Sequence, residues 1–468
     1  MFLEDDKIPI VALATPIGSS ALSVFRISGK NSISIVENIF ISIKSGKKLE
    51  NQSTHTIHLG YIIEKNNFLD QILVSIFRSP FSYTGENMVE ISCHGSSYIQ
   101  EQILQLLLKK GMRLARPGEF TFRAFLNKKI DLSQAEAIAE LILSENKASH
   151  EISLQQIKGT FTDAIKNLQK KLLDFASLLE LKLDFSEEDV IFTKKSELIL
   201  FLNELEETLK NLMESFSLGN AIKKGIYVVI IGETNVGKST LFNHIIQEDR
   251  SIVSHIKGTT RDSVEEEIIL NGIRFHFVDT AGIRKTKNTI EMMGVRKTVK
   301  KIQEAQVILY LFEASIKNRK KQKKILNEIQ IIRDQYPLKK ILAVANKSDL
   351  SSFQDIYNLK SKVPDFFEIS AKNHQGIKKM LETLSNFFVE KLKEKNNIVV
   401  TQNRHYEALK QSLEEILLAH HLFLEERGTE DLVSIHIREA LRYLGEITGE
   451  ITNEDILKNI FSKFCIGK

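Results

Sequence analysis

The sequence predicts a multidomain chain: an α+β amino-terminal unit, a discontinuous all-α helical domain, and an α/β unit inserted between the two helical parts. Three observations carry this reading. The 468 residues exceed what one core organises, at about 150 residues per domain. The pattern changes along the chain, from short β-rich runs with Gly, Ser and Pro punctuation, to long stretches with helical apolar spacing, to β-rich segments alternating with helical ones after Gly225. The helical pattern then returns after Gln402, and neither helical flank alone looks large enough to complete a bundle.

The elements follow in order. Ile8 to Ala14, Ala21 to Ile27, Thr56 to Ile63, Ile72 to Phe77 and Met88 to His94 read as strands, and Tyr98 to Lys110 as a helix. From Ser133 to about Ser215, stretches such as EAIAELILSENKASHEISLQQIKG repeat apolar residues three and four apart. IYVVIIG, FHFVDT, QVILYLFEA and KILAVANK are strands of repeated βα units covering a parallel sheet. Tyr406, Leu409, Leu413 and Leu417 share one helix face, and a second periodic run covers Asp431 to Leu444. The expected domains are 1–125, 126–220, 221–390 and 391–468, with the second and fourth forming one helical domain.

Composition narrows the setting. With 42% hydrophobic and 26% charged residues, disorder is excluded as the main state. A net charge of +4 permits nucleic-acid contact without arguing for it. Cys93 and Cys465 are too few for a disulfide framework or a Cys-built zinc site, which points to a reducing cytoplasmic compartment. The acidic start MFLEDDKIPIVALATP and the lack of a run of 18 apolar residues argue against secretion and membrane spanning, and no membrane partner is expected.

The motifs with chemistry begin after Ile231. Gly232-Glu233-Thr234-Asn235-Val236-Gly237-Lys238-Ser239 is a full G-x-x-x-x-G-K-S between a strand and a helix, with Thr240 next in line. Backbone amides of such a loop curl around phosphates, Lys238 supplies charge to the β and γ oxygens, and Ser239 offers an oxygen to Mg²⁺. Asp279-Thr280-Ala281-Gly282 ends a strand, where Asp279 holds Mg²⁺ directly or through water and the Gly282 amide senses the γ phosphate. Between them lies Gly258-Thr259-Thr260-Arg261-Asp262, a switch segment in which Thr260, in preference to Thr259, completes the Mg²⁺ shell. Asn346-Lys347-Ser348-Asp349 follows KILAVA; the Asp349 carboxylate accepts hydrogens from guanine N1 and its exocyclic amine, which favours GTP over ATP. Ser370-Ala371-Lys372 places backbone donors and the Lys372 stem around the base.

Ile283 follows Gly282, so no glutamine stands there to orient water. Glu291 is the first carboxylate downstream, with His255 and His276 alternatives by chemistry but not by placement. Asn235 could help hold a monovalent cation together with switch carbonyls. Cys465 in the CIGK ending is either a nucleophilic thiolate or an inert thiol, and CIGK does not fit a prenylation signal. The basic run Lys317 to Lys324 reads as a solvated helix face, with RNA contact the minority reading.

Together GETNVGKS, GTTRD, DTAGIR, NKSD and CIGK, preceded by ATPIG, RISG, YTGENMVEISCHG and RPGEFTFRAFLNKKIDLSQAEAI, resemble the tRNA uridine-modifying GTPase family MnmE, also called TrmE. The resemblance covers nearly the whole chain. It implies a folate-binding, dimerising amino-terminal domain, a discontinuous helical domain and an inserted Ras-like α/β P-loop G domain. It also implies a potassium-stimulated GTPase that works as a homodimer with the FAD protein MnmG, in a heterotetramer or larger complex. The family reaction adds an aminomethyl or carboxymethylaminomethyl group at C5 of the tRNA wobble uridine, with 5,10-methylenetetrahydrofolate or a related tetrahydrofolate supplying the carbon. Matched residue by residue, the folate contacts are Arg26, Glu90, Lys129 and Lys468, and the water-orienting carboxylate is Glu291. Asn235 becomes a K⁺ ligand with the region of Ser254, Ile256 and Thr259, and Cys465 matches the terminal cysteine. Thr234 stands where the family usually has proline, and Ser96 where a second glycine commonly follows CHG.

Two other readings use the same residues. A ribosome-assembly or regulatory GTPase needs neither folate nor redox chemistry. A helical adaptor predicts no guanine-nucleotide hydrolysis.

Overall fold

The computed structural model describes residues 8–65, 67–184, 195–249, 265–279, 299–316, 318–351, 359–394, 398–424, 430–451, 454–462, 464–465 and 467. The chain groups into two compact units, one of Met1–Leu143, Gln156–Ile199 and Glu414–Lys468, the other of Ser144–Gln155 and Leu200–Leu413.

The first unit is built on seven strands: β1 (Ile10–Leu13), β2 (Ser20–Ser28), β3 (Phe40–Ser42), β4 (Thr56–Glu64), β5 (Asn67–Phe77), β6 (Met88–Gly95) and β7 (Arg113–Leu114). Their order is β3-β4-β5-β6-β2-β1-β7, antiparallel except for the β1–β7 pair. Alternation decides which face is buried: Ile72, Val74 and Ile76 point inward from β5, while Leu73 points out. The helix Ser97–Lys109 closes that face with Ile103, Leu106 and Leu107.

Helices complete this unit. Asp131 starts the helix Leu132–Leu143 with a reciprocal cap, its carboxylate accepting from the Gln134 amide at 2.9 Å while Gln134 Oε1 accepts from the Asp131 amide at 3.0 Å. At the carboxyl end, the helix Glu454–Phe461 packs Phe461 edge-on against Phe122, with ring centroids 5.1 Å apart. Phe464 joins the same buried cluster, and this anchors the tail that follows.

Among the described residues, the helical stretch from Ser133 to Ser215 is interrupted near Asn146 and at Gly159, where the apolar period runs on. Asn146 stops it by accepting from the Ser149 amide at 2.8 Å and starting the helix Lys147–Ile157. Gly159, at φ +93°, then separates that helix from Thr160–Asp184.

The second unit holds β8 (Ile226–Ile231), β9 (Glu265–Leu270), β10 (Ile273–Asp279), β11 (Val307–Glu313), β12 (Lys340–Asn346) and β13 (Phe366–Glu368). Their order is β13-β12-β11-β8-β10-β9, parallel except for β9, which returns to β10 through Asn271-Gly272. Strands β8, β11 and β12 read as unbroken apolar runs because both faces are covered. Val307, Leu309 and Leu311 enter one core, whereas Tyr310 and Phe312 enter another. Strand β8 has β10 on one side and β11 on the other, so the chain turns to opposite sides at its carboxyl end, where α/β sheets place ligands.

Candidate functional site

The loop after β8 lies at that switch point. Asn235 (φ +62°) and Gly237 (φ +95°) curl the backbone before the helix Lys238–Asp249 begins. A Cβ on Gly237 would fall 2.4 Å from Asn346 Nδ2, so only glycine lets the loop approach the end of β12 this closely. Lys238 is only 8% exposed, and its Nζ donates to the carbonyls of Gly232 at 2.9 Å and Glu233 at 2.6 Å. The ammonium therefore sits inside the loop's curl.

Ser239 Oγ donates to Asp279 Oδ2 at 2.9 Å, and Asp279 is buried at the end of β10. A hydroxyl and a carboxylate placed side by side beside a phosphate-type loop form an oxygen donor set suited to Mg²⁺. Asn346 ties the two halves of the site together. Its Nδ2 donates to the Val236 carbonyl at 2.8 Å, and its Oδ1 accepts from the Ala371 amide at 2.9 Å. Ser370 Oγ donates to Asp349 Oδ1 at 2.6 Å, fixing the carboxylate while Asp349 stays exposed. Lys347, at φ +61°, pairs with Glu313 at 3.1 Å, and Lys372 is exposed beside Ala371. Asn235, Val236, Gly237, Lys238, Ser239, Thr240, Asp279, Asn346, Lys347, Asp349, Ser370, Ala371 and Lys372 thus all lie on segments that follow β8, β10, β12 or β13, or end those strands. Ser254, Ile256, Thr259, Thr260, Thr280, Ala281, Gly282, Glu291 and Lys468 lie outside the described residues.

A second cluster forms in the first unit. The β2–β6 register sets Arg26 opposite Glu90, and Arg26 Nε donates to Glu90 Oε1 at 2.9 Å. Its NH1 reaches the carbonyl of Gly467 at 3.2 Å, bringing the terminal tail to the strand. Gly467 has φ +100°, and a Cβ there would lie 2.9 Å from the Leu13 carbonyl. Cys465 is exposed two residues earlier. Lys129 is not drawn to this pair in the structure; its Nζ donates to the Pro80 carbonyl at 3.1 Å.

Sequence reasoning missed what frames Arg26. Its guanidinium lies 5.4 Å from the Tyr83 ring centroid and 5.9 Å from that of Phe120. Behind them, buried Arg123 pairs with Glu86 at 3.0 Å and Glu119 at 3.2 Å, and Glu119 also pairs with Arg113. Burial pushes the Glu119 carboxyl up, but the Arg113 hydrogen bond, the Arg116 amide and the two guanidinium charges hold it below the usual carboxylate range. Glu86 lies in YTGEN and Glu119 and Arg123 in RPGEFTFR, but only folding brings Glu86 to Arg123.

Two family models match this chain: one described as the MnmE helical domain, over residues 132–465, and one described as the GTP-binding protein TrmE N-terminus, over residues 9–129. The chain belongs to the MnmE family. It is 49% identical over 459 residues to the tRNA modification GTPase MnmE of Flavobacterium psychrophilum, covering 98% of this chain and 99% of that relative. It is 49% identical over 463 residues to the protein of the same name in Flavobacterium johnsoniae, with the same coverage. For that of Bacteroides thetaiotaomicron the identity is 44% over 468 residues, again covering 98% and 99%. Membership extends through both clusters, since the matched ranges include Arg26, Glu90 and Lys129 as well as the nucleotide loop and Cys465.

Proposed function

We propose that this chain is a GTP-hydrolysing tRNA modification enzyme. With MnmG, which supplies FAD, it installs an aminomethyl or carboxymethylaminomethyl group at C5 of the wobble uridine, using a tetrahydrofolate one-carbon unit. The observation that carries this reading is the meeting of Arg26 with the terminal tail at Gly467, at 3.2 Å, in a chain that also holds a complete phosphate loop.

The domain reading that goes with it is a folate-binding and dimerising domain over 1–125, helical parts over 126–220 and 391–468, and an inserted Ras-like G domain over 221–390. In the G domain, the Gly237 and Lys238 region cradles the phosphates, Ser239 and Thr260 hold Mg²⁺ with Asp279 behind them, and Asp349 reads guanine. Bound GTP·Mg²⁺ supplies the hydrolysable bond. Glu291 orients the attacking water, while Asn235 and the Ser254, Ile256 and Thr259 region hold K⁺. Arg26, Glu90, Lys129 and Lys468 hold the folate; the paired guanidinium and carboxylate offer donors and acceptors side by side, which suits the amide-like edge of a pterin. Cys465 lies next to this site.

Homodimerisation through the amino-terminal domain is supported by exposed apolar residues on the outer sheet face, among them Ile57 and the cross-strand pair Leu59 and Leu73. No helix among the described residues is long and apolar enough to cross a membrane, which suits work on tRNA in the cytoplasm. Folate binding separates this reading from a ribosome-assembly GTPase. Titration of the purified chain with a tetrahydrofolate is expected to saturate, and Arg26→Ala is expected to abolish it. Binding of GTP without any binding of folate would favour the assembly GTPase.

A further inference from the structure

The helix Arg319–Gln335 opens with five cations in six residues: Arg319, Lys320, Lys321, Lys323 and Lys324. It buries Ile325 and Ile329 in the core formed with Tyr310 and Phe312. At about 100° per residue, Arg319, Lys320, Lys323 and Lys324 fall on the opposite side of the helix, and all four are exposed. Lys324 is paired with Glu233 at 2.7 Å and Glu328 at 3.6 Å. Arg319, Lys320, Lys321 and Lys323 make no ion pair among the described residues.

This arrangement works against the helix that carries it. Asn318 caps the helix by accepting from the Lys320 amide at 2.9 Å, so three of the cations sit in the first turn, where the macrodipole is already positive. Arg319 and Lys323, and Lys320 and Lys324, are like charges four apart, which repel. No acidic residue offsets them in that turn. Helix stability alone would place acids there, and an anion from outside would offset the charge. The cations are spread along an exposed helix face, an arrangement that fits an extended polyanion better than a small enclosed ligand.

We propose that this face is a contact surface for the phosphate backbone of RNA. The inference rests on the tRNA-modification reading above and adds to it a place where the G-domain side of the chain touches its substrate. Recognition there is electrostatic and independent of sequence, supplying affinity while other parts of the enzyme select the uridine.

The test uses the full chain and end-labelled tRNA, with fluorescence anisotropy across a series of salt concentrations. The triple variant Arg319→Gln/Lys320→Gln/Lys323→Gln leaves the Lys324–Glu233 pair in place. It is expected to bind tRNA about tenfold more weakly at low salt, with a plot of log K against log salt about two units shallower. Its GTP hydrolysis without RNA should stay within about twofold of the parent, showing that the fold is intact. Equal affinity and slope in parent and variant overturn the surface assignment alone. A parent chain that binds no tRNA overturns this proposal and the tRNA reading together. A variant that binds tRNA normally but loses a protein partner gives the face to an acidic protein and overturns the RNA contact.

Discussion

Asn346 donates to the Val236 carbonyl at 2.8 Å, so the residue that ends β12 holds the glycine loop between β8 and the helix Lys238–Asp249. The Asn346 side-chain oxygen accepts from the Ala371 amide, so the segments that follow β8, β12 and β13 become one hydrogen-bonded piece. Asn346 is 2% exposed, and neither contact has water to replace it cheaply.

Asn346→Ala is therefore expected to weaken GTP and GDP alike. Leaving a buried carbonyl and a buried amide unmatched costs about 1–3 kcal/mol, or roughly five- to a hundredfold in Kd, read by titration with a fluorescent guanine nucleotide. Selective loss of GTP alone would show that Asn346 acts on the γ phosphate and not as a tie.

Asp349→Ala removes the acceptor proposed for the guanine edge and is expected to cost about 1–3 kcal/mol of GTP affinity while leaving weak ATP binding unchanged. Ser370→Ala, which only frees the Asp349 carboxylate to turn, should cost less. Unchanged GTP affinity in Asp349→Ala would remove that side chain from base recognition.

Glu119 sits between Arg113 and Arg123 with 1% exposure, and Glu119→Gln removes the carboxylate that both guanidinium groups share, leaving Arg123 with Glu86. A loss of about 3–5 kcal/mol in stability is expected by denaturant melts at neutral pH. The folded carboxyl lies below its unfolded value, so its stabilisation is fully present above the unfolded pKa of about 4.3 and is lost as pH falls through the lower, folded one. The gap between parent and variant should hold from neutral pH to about 5 and narrow below it; a gap that widens in acid would contradict this.

The two thiols differ in reach. Burial first, and then the Asp70 charge, push the Cys93 thiol up to about 11, while Cys465 is exposed. A disulfide reagent near pH 8 is expected to modify one thiol quickly in the native chain, and both after unfolding. Fast modification retained in Cys465→Ser would place the reactive thiol at Cys93.

Much of this was legible because local pattern and tertiary position agree. Strands over 56–63, 72–77 and 88–94 announce themselves by alternation, and β4, β5 and β6 contain all three. The glycine-rich loop needed only its flanks to be placed between β8 and a helix. What stayed hidden depends on partners far along the chain. Arg26 meets Glu90 only because β2 and β6 pair in one register, and Glu233 meets Lys324 only once the βα units have folded together. The helix face read as Tyr406, Leu409, Leu413 and Leu417 also drifts, since Leu417 is 40% exposed while Ile416 is fully buried.

The central claim is that the guanine-nucleotide site and the Arg26 site serve one reaction. Nucleoside analysis of tRNA tests it most directly, after incubation with the chain, MnmG, GTP, K⁺ and a methylene-folate donor, using the parent, Asp349→Ala and Arg26→Ala. The parent is expected to yield C5-modified wobble uridine, and each variant to lose it, with Arg26→Ala still hydrolysing GTP. Full modification by either variant, or none by the parent in the complete mixture, would contradict the account.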